Sequence, residues 1–251
     1  MSKKESYNQM ASLVLGVCIM SGMAGCQEDH AKTKVRGGQK TEQIEEIRID
    51  GKYEVKFVAL NTSVSGVSNA KANIHVIADR ISVGLEMKES PAESTHSQFI
   101  YSASECPNDL NDTNNDGYID PVEASKVLGS ILIPLDGDLS SQTSGLDDFP
   151  VSDSMGNYSY YQESILSDLI SDLKSKDMNP DDELVKLLPK QNLQLEGKVI
   201  IIQGISDEVY LPGSIQTIGT NSDRATLPIA CGKISRIVPE ESETIETEEN
   251  I

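Results

Sequence analysis

Oxygen-bearing side chains recur at a regular spacing between residues 112 and 123, and they are the groups in this sequence best suited to chemistry. Hard oxygen donors of this kind suit Ca²⁺, which takes 6 to 8 oxygen ligands. A glycine in the middle permits the sharp turn needed to wrap the donors around an ion. The donors and the glycine are Asp112, Asn114, Asp116, Gly117, Asp120 and Glu123.

The spacing is that of the twelve-residue EF-hand calcium loop. In such a loop the backbone carbonyl of Tyr118 supplies a further oxygen, and Asp120 binds the ion directly or through a water. Glu123, at the last position, offers both carboxylate oxygens. Ile119 is expected to face inward as an apolar anchor. The alternative interpretation is an Asn/Asp-rich surface turn that holds no metal.

The residues that flank this loop favour a structural calcium over a sensing one. Sensor EF-hands open a groove between two helices when the ion binds. Here Pro107 and the polar residues 108–111 argue against a helix before the loop, whereas residues 123–128 can form one after it. We therefore expect calcium to act as a structural clamp.

The first residues of the chain predict export from the cell. Lys3 and Lys4 precede an apolar run, residues 11–24, that is too short to span a membrane. We interpret residues 1–25 as a signal peptide.

The end of this segment, Ser-Gly-Met-Ala-Gly-Cys at residues 21–26, resembles the lipobox of bacterial lipoproteins, with Met23 where leucine is usual. The resemblance implies cleavage before Cys26 and acylation of its sulfur. With Gln27 next, it also implies a lipid anchor in the outer membrane of a bacterial envelope. The alternative is a plain secretory signal with a chance cysteine. Whether the domain faces the periplasm or the outside stays open.

The chain is strongly acidic, with a formal net charge of −19 from 21 basic and 40 acidic residues. Without Lys3, Lys4 and Glu5, these counts become 19 and 39, a charge of about −20. Phosphate repels such a protein, so nucleic acid is not expected as a partner. Metal cations and basic partners fit the charge, but no particular protein partner is indicated.

Cysteine usage agrees with export. Cys18 lies in the signal peptide and Cys26 takes lipid, which leaves Cys106 and Cys231. Two thiols in an oxidising compartment suggest one disulfide. The alternative is two unpaired buried cysteines.

The hydrophobic pattern predicts a mainly β protein. Residues 26–49 are polar and read as a tether, residues 50–238 as one antiparallel β-sandwich domain, and residues 239–251, with six glutamates, as a disordered acidic tail. Strands are predicted at 52–60, 72–78, 80–88, 98–101, 198–205 and 227–238, with an apolar stretch at 131–135. Helices are predicted at 161–173 and 181–188.

Several short motifs occur in order within residues 49–238. They are Leu60-Asn61, Ser65-Gly66-Val67, Val83-Gly84-Leu85, His-Ser-Gln-Phe-Ile-Tyr at 96–101, and Leu-Pro-Ile-Ala-Cys-Gly at 227–232. Together they resemble the copper-zinc superoxide dismutase-like sandwich and its CHRD-type relatives. The resemblance implies a Greek-key antiparallel β-sandwich carrying the calcium loop as an insertion. It also implies a disulfide between Cys106, in a long loop, and Cys231, in a terminal Ala-Cys-Gly.

The copper ligands of that family are not matched. Phe99, Tyr101 and Gln203 stand where histidines are expected, and only His96 lies nearby. Copper chemistry needs several imidazoles on one ion. For His96 by itself, a surface or hydrogen-bonded loop histidine is the simpler interpretation.

We therefore expect a lipid-anchored calcium-binding module without enzymatic activity. The alternative is a divergent metal-dependent oxidoreductase that uses His96 with acidic ligands. No nucleophile elbow, Cys-x-x-Cys, phosphate loop or His-Glu-x-x-His motif occurs in the sequence. Four acidic residues have two alternative interpretations, either a second cation site or a set of solvated loop carboxylates. They are Asp136, Asp138, Asp147 and Asp148.

Overall fold

The computed structural model describes residues 49–67, 69–174 and 186–238. The predicted signal peptide, the lipidation site Cys26, the tether up to residue 48 and the acidic tail at 239–251 lie outside these residues. So do residues 181–185 of the second predicted helix, and residues 186–188 are not helical.

Eight strands form the body of the domain. They are β1 (Gly51–Ala59), β2 (Asn69–Ile77), β3 (Arg80–Lys88), β4 (Gln98–Tyr101), β5 (Ile131–Pro134), β6 (Tyr158–Ile165), β7 (Val199–Gln203) and β8 (Pro228–Arg236). The helices are α1 (Thr62–Ser65), α2 (Pro121–Leu128), α3 (Leu166–Leu173) and α4 (Asp223–Thr226), with 3₁₀ turns at Asp109–Asn111 and Leu146–Asp148.

The strands form one curled antiparallel sheet in the order β5-β4-β7-β8-β1-β2-β3-β6. β6 returns to pair with β3 after β4 and β5 have joined the opposite end of the sheet, as in Greek-key connections. The predicted fold class, a mainly β antiparallel sandwich, is confirmed. One or two short helices were predicted, and the described residues contain four.

The predicted strands are confirmed because their side chains alternate between core and solvent. β3 and β4 have the predicted bounds, and β1 and β2 are shifted by one to three residues. Every second residue of β2 is buried along its whole length. This period of two is the one expected for a strand with one face on the core.

The prediction of a helix at 161–173 is wrong for its first half, which is part of strand β6. Tyr158 and Tyr160 are buried in β6, whereas Tyr161 and Ile165 are 64% and 45% exposed. β6 pairs with β3 along its whole length, and a run rich in tyrosine suits a strand. Only α3 is helical, and it buries Leu166, Leu169 and Leu173 on the sheet, as their spacing indicates.

β7 is covered on both faces, as its unbroken apolar run predicts. Ile200 and Ile202 belong to the main hydrophobic core, here called the inner core. Val199 and Ile201 point the other way, into a second cluster here called the outer core. The outer core consists of Leu60, Tyr101, Ile119, Ala124, Leu128, Val199, Ile201 and Cys231.

Cys106 and Cys231 form a disulfide, with their Cα atoms 5.8 Å apart and a separation of 125 positions in sequence. Cys231 lies on β8 and is fully buried, and Cys106 packs against the outer core. The predicted pairing is confirmed.

Reduction of this disulfide is expected to lower the free energy of unfolding by about 3–5 kcal/mol, because a closed loop of more than a hundred residues restricts the unfolded chain. The measurement is urea denaturation of oxidised and reduced protein. A Cys106→Ser/Cys231→Ala variant serves as the control and should ignore the reductant. Equal stability of the oxidised and reduced wild type would contradict the prediction.

Candidate metal centre

The last part of the predicted calcium loop is fixed by the start of α2. Asp120 caps the helix by accepting a hydrogen bond from the Glu123 amide at 2.9 Å, and Glu123 accepts one from the Asp120 amide at 3.2 Å. Pro121 occupies the first helical turn. Such a capping box with proline at the helix start sets both carboxylates by local sequence alone.

The first part of the loop winds around its own side-chain oxygens. The Asp112 carboxylate accepts hydrogen bonds from the amides of Asp116 at 3.2 Å and Gly117 at 2.9 Å. Asn114 Oδ1 accepts from the Asp116 amide and Asp116 Oδ1 from the Tyr118 amide, both at 2.9 Å. Gly117 has φ +87°, a conformation in which a side chain is strained.

Glu123 closes the loop across its open side. Its Oε1 accepts hydrogen bonds from the Thr113 amide at 2.7 Å, the Thr113 hydroxyl at 2.8 Å and the Asn114 amide at 3.2 Å. Burial raises the pKa of this carboxyl, but hydrogen bonds from Thr113, Asp120 and Asn114 outweigh burial and hold the pKa below its ordinary value. Glu123 thus stays charged, as a calcium ligand must.

The donor set fits calcium by type, because Asp112, Asn114, Asp116, Asp120 and Glu123 offer only oxygens. In this structure most of these oxygens accept hydrogen bonds from backbone amides of the loop itself. Within residues 49–67, 69–174 and 186–238, no group of three or more His, Cys, Asp or Glu side chains has the arrangement of a metal cluster. Calcium would therefore replace amide hydrogen bonds of the loop.

Groups far away in sequence attach the loop to the domain. Ile119 is 3% exposed and packs in the outer core, as expected for the anchor. Asp120 Oδ2 accepts a hydrogen bond from the backbone N–H of Gln216 at 2.9 Å, and Asp116 Oδ2 accepts one from the Ser214 hydroxyl at 2.6 Å. Sequence analysis missed these two contacts, because no local pattern relates residues about a hundred positions apart.

A further attachment comes from Asn61, between β1 and α1. Its side-chain amide hydrogen-bonds both the N–H and the C=O of Ile119. Sequence analysis gave Asn61 no role in the loop.

His96 is fully buried and held by protein groups, not by a metal-like environment. Its Nδ1 lies 3.2 Å from the Gln203 carbonyl, and its Nε2 lies 3.0 Å from Ser90 Oγ. The ring stacks on Tyr158 with centroids 5.2 Å apart. Burial lowers the pKa of His96, although hydrogen bonds to backbone carbonyls oppose the shift. Of the two simple interpretations, the hydrogen-bonded one is right and the surface one is wrong.

Most of the acidic residues considered for a second cation site accept hydrogen bonds from nearby backbone amides, as side chains in turns do. Asp136 is buried and accepts from the Asp138 amide at 2.9 Å, and burial, with Asp148 and Asp138 nearby, raises its pKa. Asp138 accepts from Ser140, and Asp148 from the Gly145 amide at 2.7 Å. Asp138, Asp147 and Asp148 are exposed. These three have the exposure typical of solvated loop carboxylates, whereas Asp136 does not.

No protein-family model matches the chain, and no curated protein matches its sequence. Among the residues that the structure describes, no helix has the length and apolar character needed to cross a membrane. The case for function therefore depends on the geometry of the loop.

Because His96 is buried and neutral, we predict that the free energy of unfolding decreases in mild acid. Its pKa is lower in the folded state than the ordinary value of about 6.5, so the unfolded chain binds more protons below that pH. The stabilisation is present above pH 6.5 and is lost as the pH falls below it, by at most about 1.4 kcal/mol per pH unit.

This prediction is measured by urea denaturation of wild type and His96→Gln between pH 7.5 and 5. The difference in their free energies of unfolding should shrink with decreasing pH. His75→Gln, at an exposed position of β2, is the control and should leave the wild-type pH dependence intact. Parallel curves for wild type and His96→Gln would refute the prediction.

Proposed function

We propose that this protein is a lipid-anchored, calcium-binding module of a bacterial cell envelope, and that its calcium has a structural and not a catalytic role. The observation that carries the proposal is the closure of residues 112–123. Glu123, at the final ligand position, reaches back to Thr113 and Asn114 at the opposite end of the loop. Calcium at this place would join the two ends.

The attachment of the loop favours a clamp over a sensor. Ile119 and Leu128, from the loop and α2, cover the outer face of the sheet at Val199 and Ile201. Only a 3₁₀ turn, Asp109–Asn111, precedes the loop. A sensor needs two helices that move apart to open a groove, and this arrangement offers one.

The acidic charge of the chain and its proposed location outside the cytoplasm both favour binding of calcium from the surrounding medium. A chain with a formal net charge of −19 repels itself, and a bound cation reduces that repulsion. Extracellular calcium modules bind with dissociation constants of about 0.1–1 mM. A site of this strength outside the cytoplasm would be largely filled without acting as a switch.

The anchor at Cys26 and the outer-membrane location are part of the proposal and are supported by the sequence of residues 1–27. The proposed kinship with the superoxide dismutase-like sandwich is supported by the short motifs and by the Cys106–Cys231 pair. The oxidoreductase alternative needs His96 as a metal ligand. Since both of its ring nitrogens already have protein partners, the binding module is the better proposal.

The test is calcium titration and thermal unfolding of the full-length protein in mild detergent. The wild type should bind one calcium and melt higher in 10 mM calcium than in chelator, because a ligand at 100 times its dissociation constant stabilises by about 2.7 kcal/mol. Glu123→Gln, which keeps the size and one acceptor oxygen of the side chain, should lose most of this calcium-dependent gain.

Asp109→Asn is the matched control, since it removes a carboxylate just outside the loop and should preserve the gain. Identical melting of Glu123→Gln and wild type in both buffers would refute the clamp. Metal analysis of the same preparation is the second readout. Stoichiometric copper or zinc in place of calcium would support the oxidoreductase alternative.

A further inference from the structure

Asn61 makes an unusual set of contacts for a single side chain. Its Oδ1 accepts a hydrogen bond from the Ile119 amide at 2.8 Å, and its Nδ2 donates to the Ile119 carbonyl at 3.0 Å. The same Nδ2 donates to the Pro228 carbonyl at 2.9 Å. One side-chain amide therefore satisfies both backbone groups of a residue in the calcium loop and joins that residue to the start of β8.

This pairing imitates a peptide group. In an antiparallel sheet, a hydrogen-bonded pair exchanges both N–H···O=C bonds between two residues. An asparagine side chain carries the same donor and acceptor, so it can take the place of a neighbouring strand. Ile119 is 3% exposed, and its N–H and C=O need such partners because unsatisfied buried polar groups are costly.

The backbone of Asn61 is suited to this role. It has φ 48° and ψ 49°, the left-handed conformation that asparagine tolerates better than most residues. The neighbouring Leu60 amide donates to the Ile229 carbonyl at 2.8 Å, which fixes this part of the chain to β8. Asn61 is itself 9% exposed. The Asn61 side-chain amide is thus held in place by contacts other than those to the loop.

The position of Ile119 makes this contact important for the metal. Ile119 lies between Tyr118, whose carbonyl is a predicted ligand, and Asp120, whose carboxylate is another. Fixing the backbone of Ile119 restricts both neighbours. Groups that orient metal ligands from outside the coordination shell strongly affect affinity.

We propose that Asn61 is a positioning residue for the calcium loop, where its side-chain amide is the backbone partner of Ile119 and so sets the affinity for calcium. This inference rests on the proposed function, since it assumes that the loop binds calcium. It adds a determinant of affinity that lies 51 residues before the first ligand, Asp112.

The main variant is Asn61→Gly, because glycine keeps the left-handed backbone without strain and removes the amide. Titration of the full-length protein with calcium alone should show affinity about tenfold weaker than wild type, the effect typical of outer-shell partners. Ala78→Gly is the matched control. Ala78 lies outside the loop in the turn between β2 and β3, is exposed and has φ 53°, so the calcium affinity of this variant should stay near that of wild type.

Asn61→Asp separates positioning from simple electrostatics. A carboxylate at 61 still accepts from the Ile119 amide but faces the carbonyls of Ile119 and Pro228 without a donor. If only charge mattered, an added acid near the loop would tighten calcium binding. The positioning role predicts weaker binding, and tighter binding by this variant would overturn the proposal.

Hydrogen exchange of the Ile119 amide gives a readout that does not need calcium. Exchange of this amide should be faster in Asn61→Gly than in wild type and unchanged in Ala78→Gly. If the wild type binds no calcium, the proposed function fails, yet the exchange rates still report whether Asn61 holds the loop. Wild-type calcium affinity in Asn61→Gly would overturn the positioning role even if calcium binding itself is established. If Asn61→Gly does not fold, the calcium affinity of Asn61→Asp decides whether the positioning role holds.

Discussion

The burial of β7 on both faces is the constraint on which the rest of the structure depends. The curl of the sheet covers the inner face, but Val199 and Ile201 point outward and need a separate cover. Ile119, from the predicted calcium loop, and Leu128, from α2, provide that cover. An apolar face of this kind would otherwise invite association with other molecules. The loop is therefore a part of the core architecture and not a decoration on a finished sandwich.

This arrangement brings several carboxylates close together, and their mutual repulsion must be offset. The segment that delivers Ile119 to the outer core also carries four carboxylates within twelve residues, and like charges at close range repel. Backbone amides offset part of this repulsion, most clearly at Glu123, whose pKa stays low despite burial. A divalent cation would offset more. The disulfide at Cys106 and the capping box at Asp120 hold the two ends of the loop while its charged middle is balanced.

Sequence analysis predicted what local patterns determine and missed what distant partners determine. The bounds of β3 were predictable because its alternation is regular, and the helix at residues 123–128 because its signals are local. β6 was misjudged because its register with β3, and not its own periodicity, decides that it is a strand. The role of Asn61 was unpredictable, since its partners lie 58 and 167 residues away.

Two buried polar centres of this domain stabilise their side chains in opposite ways, and the contrast bears on metal chemistry. His96 is kept neutral among uncharged partners, and its nitrogens already have protein neighbours. Glu123 is kept charged by amide donors in a loop of oxygen ligands. A redox metal needs imidazoles free to bind it, whereas a hard cation needs charged oxygens. The described residues meet the second requirement at the outer core, so calcium bound there would act on packing and stability, without electron transfer.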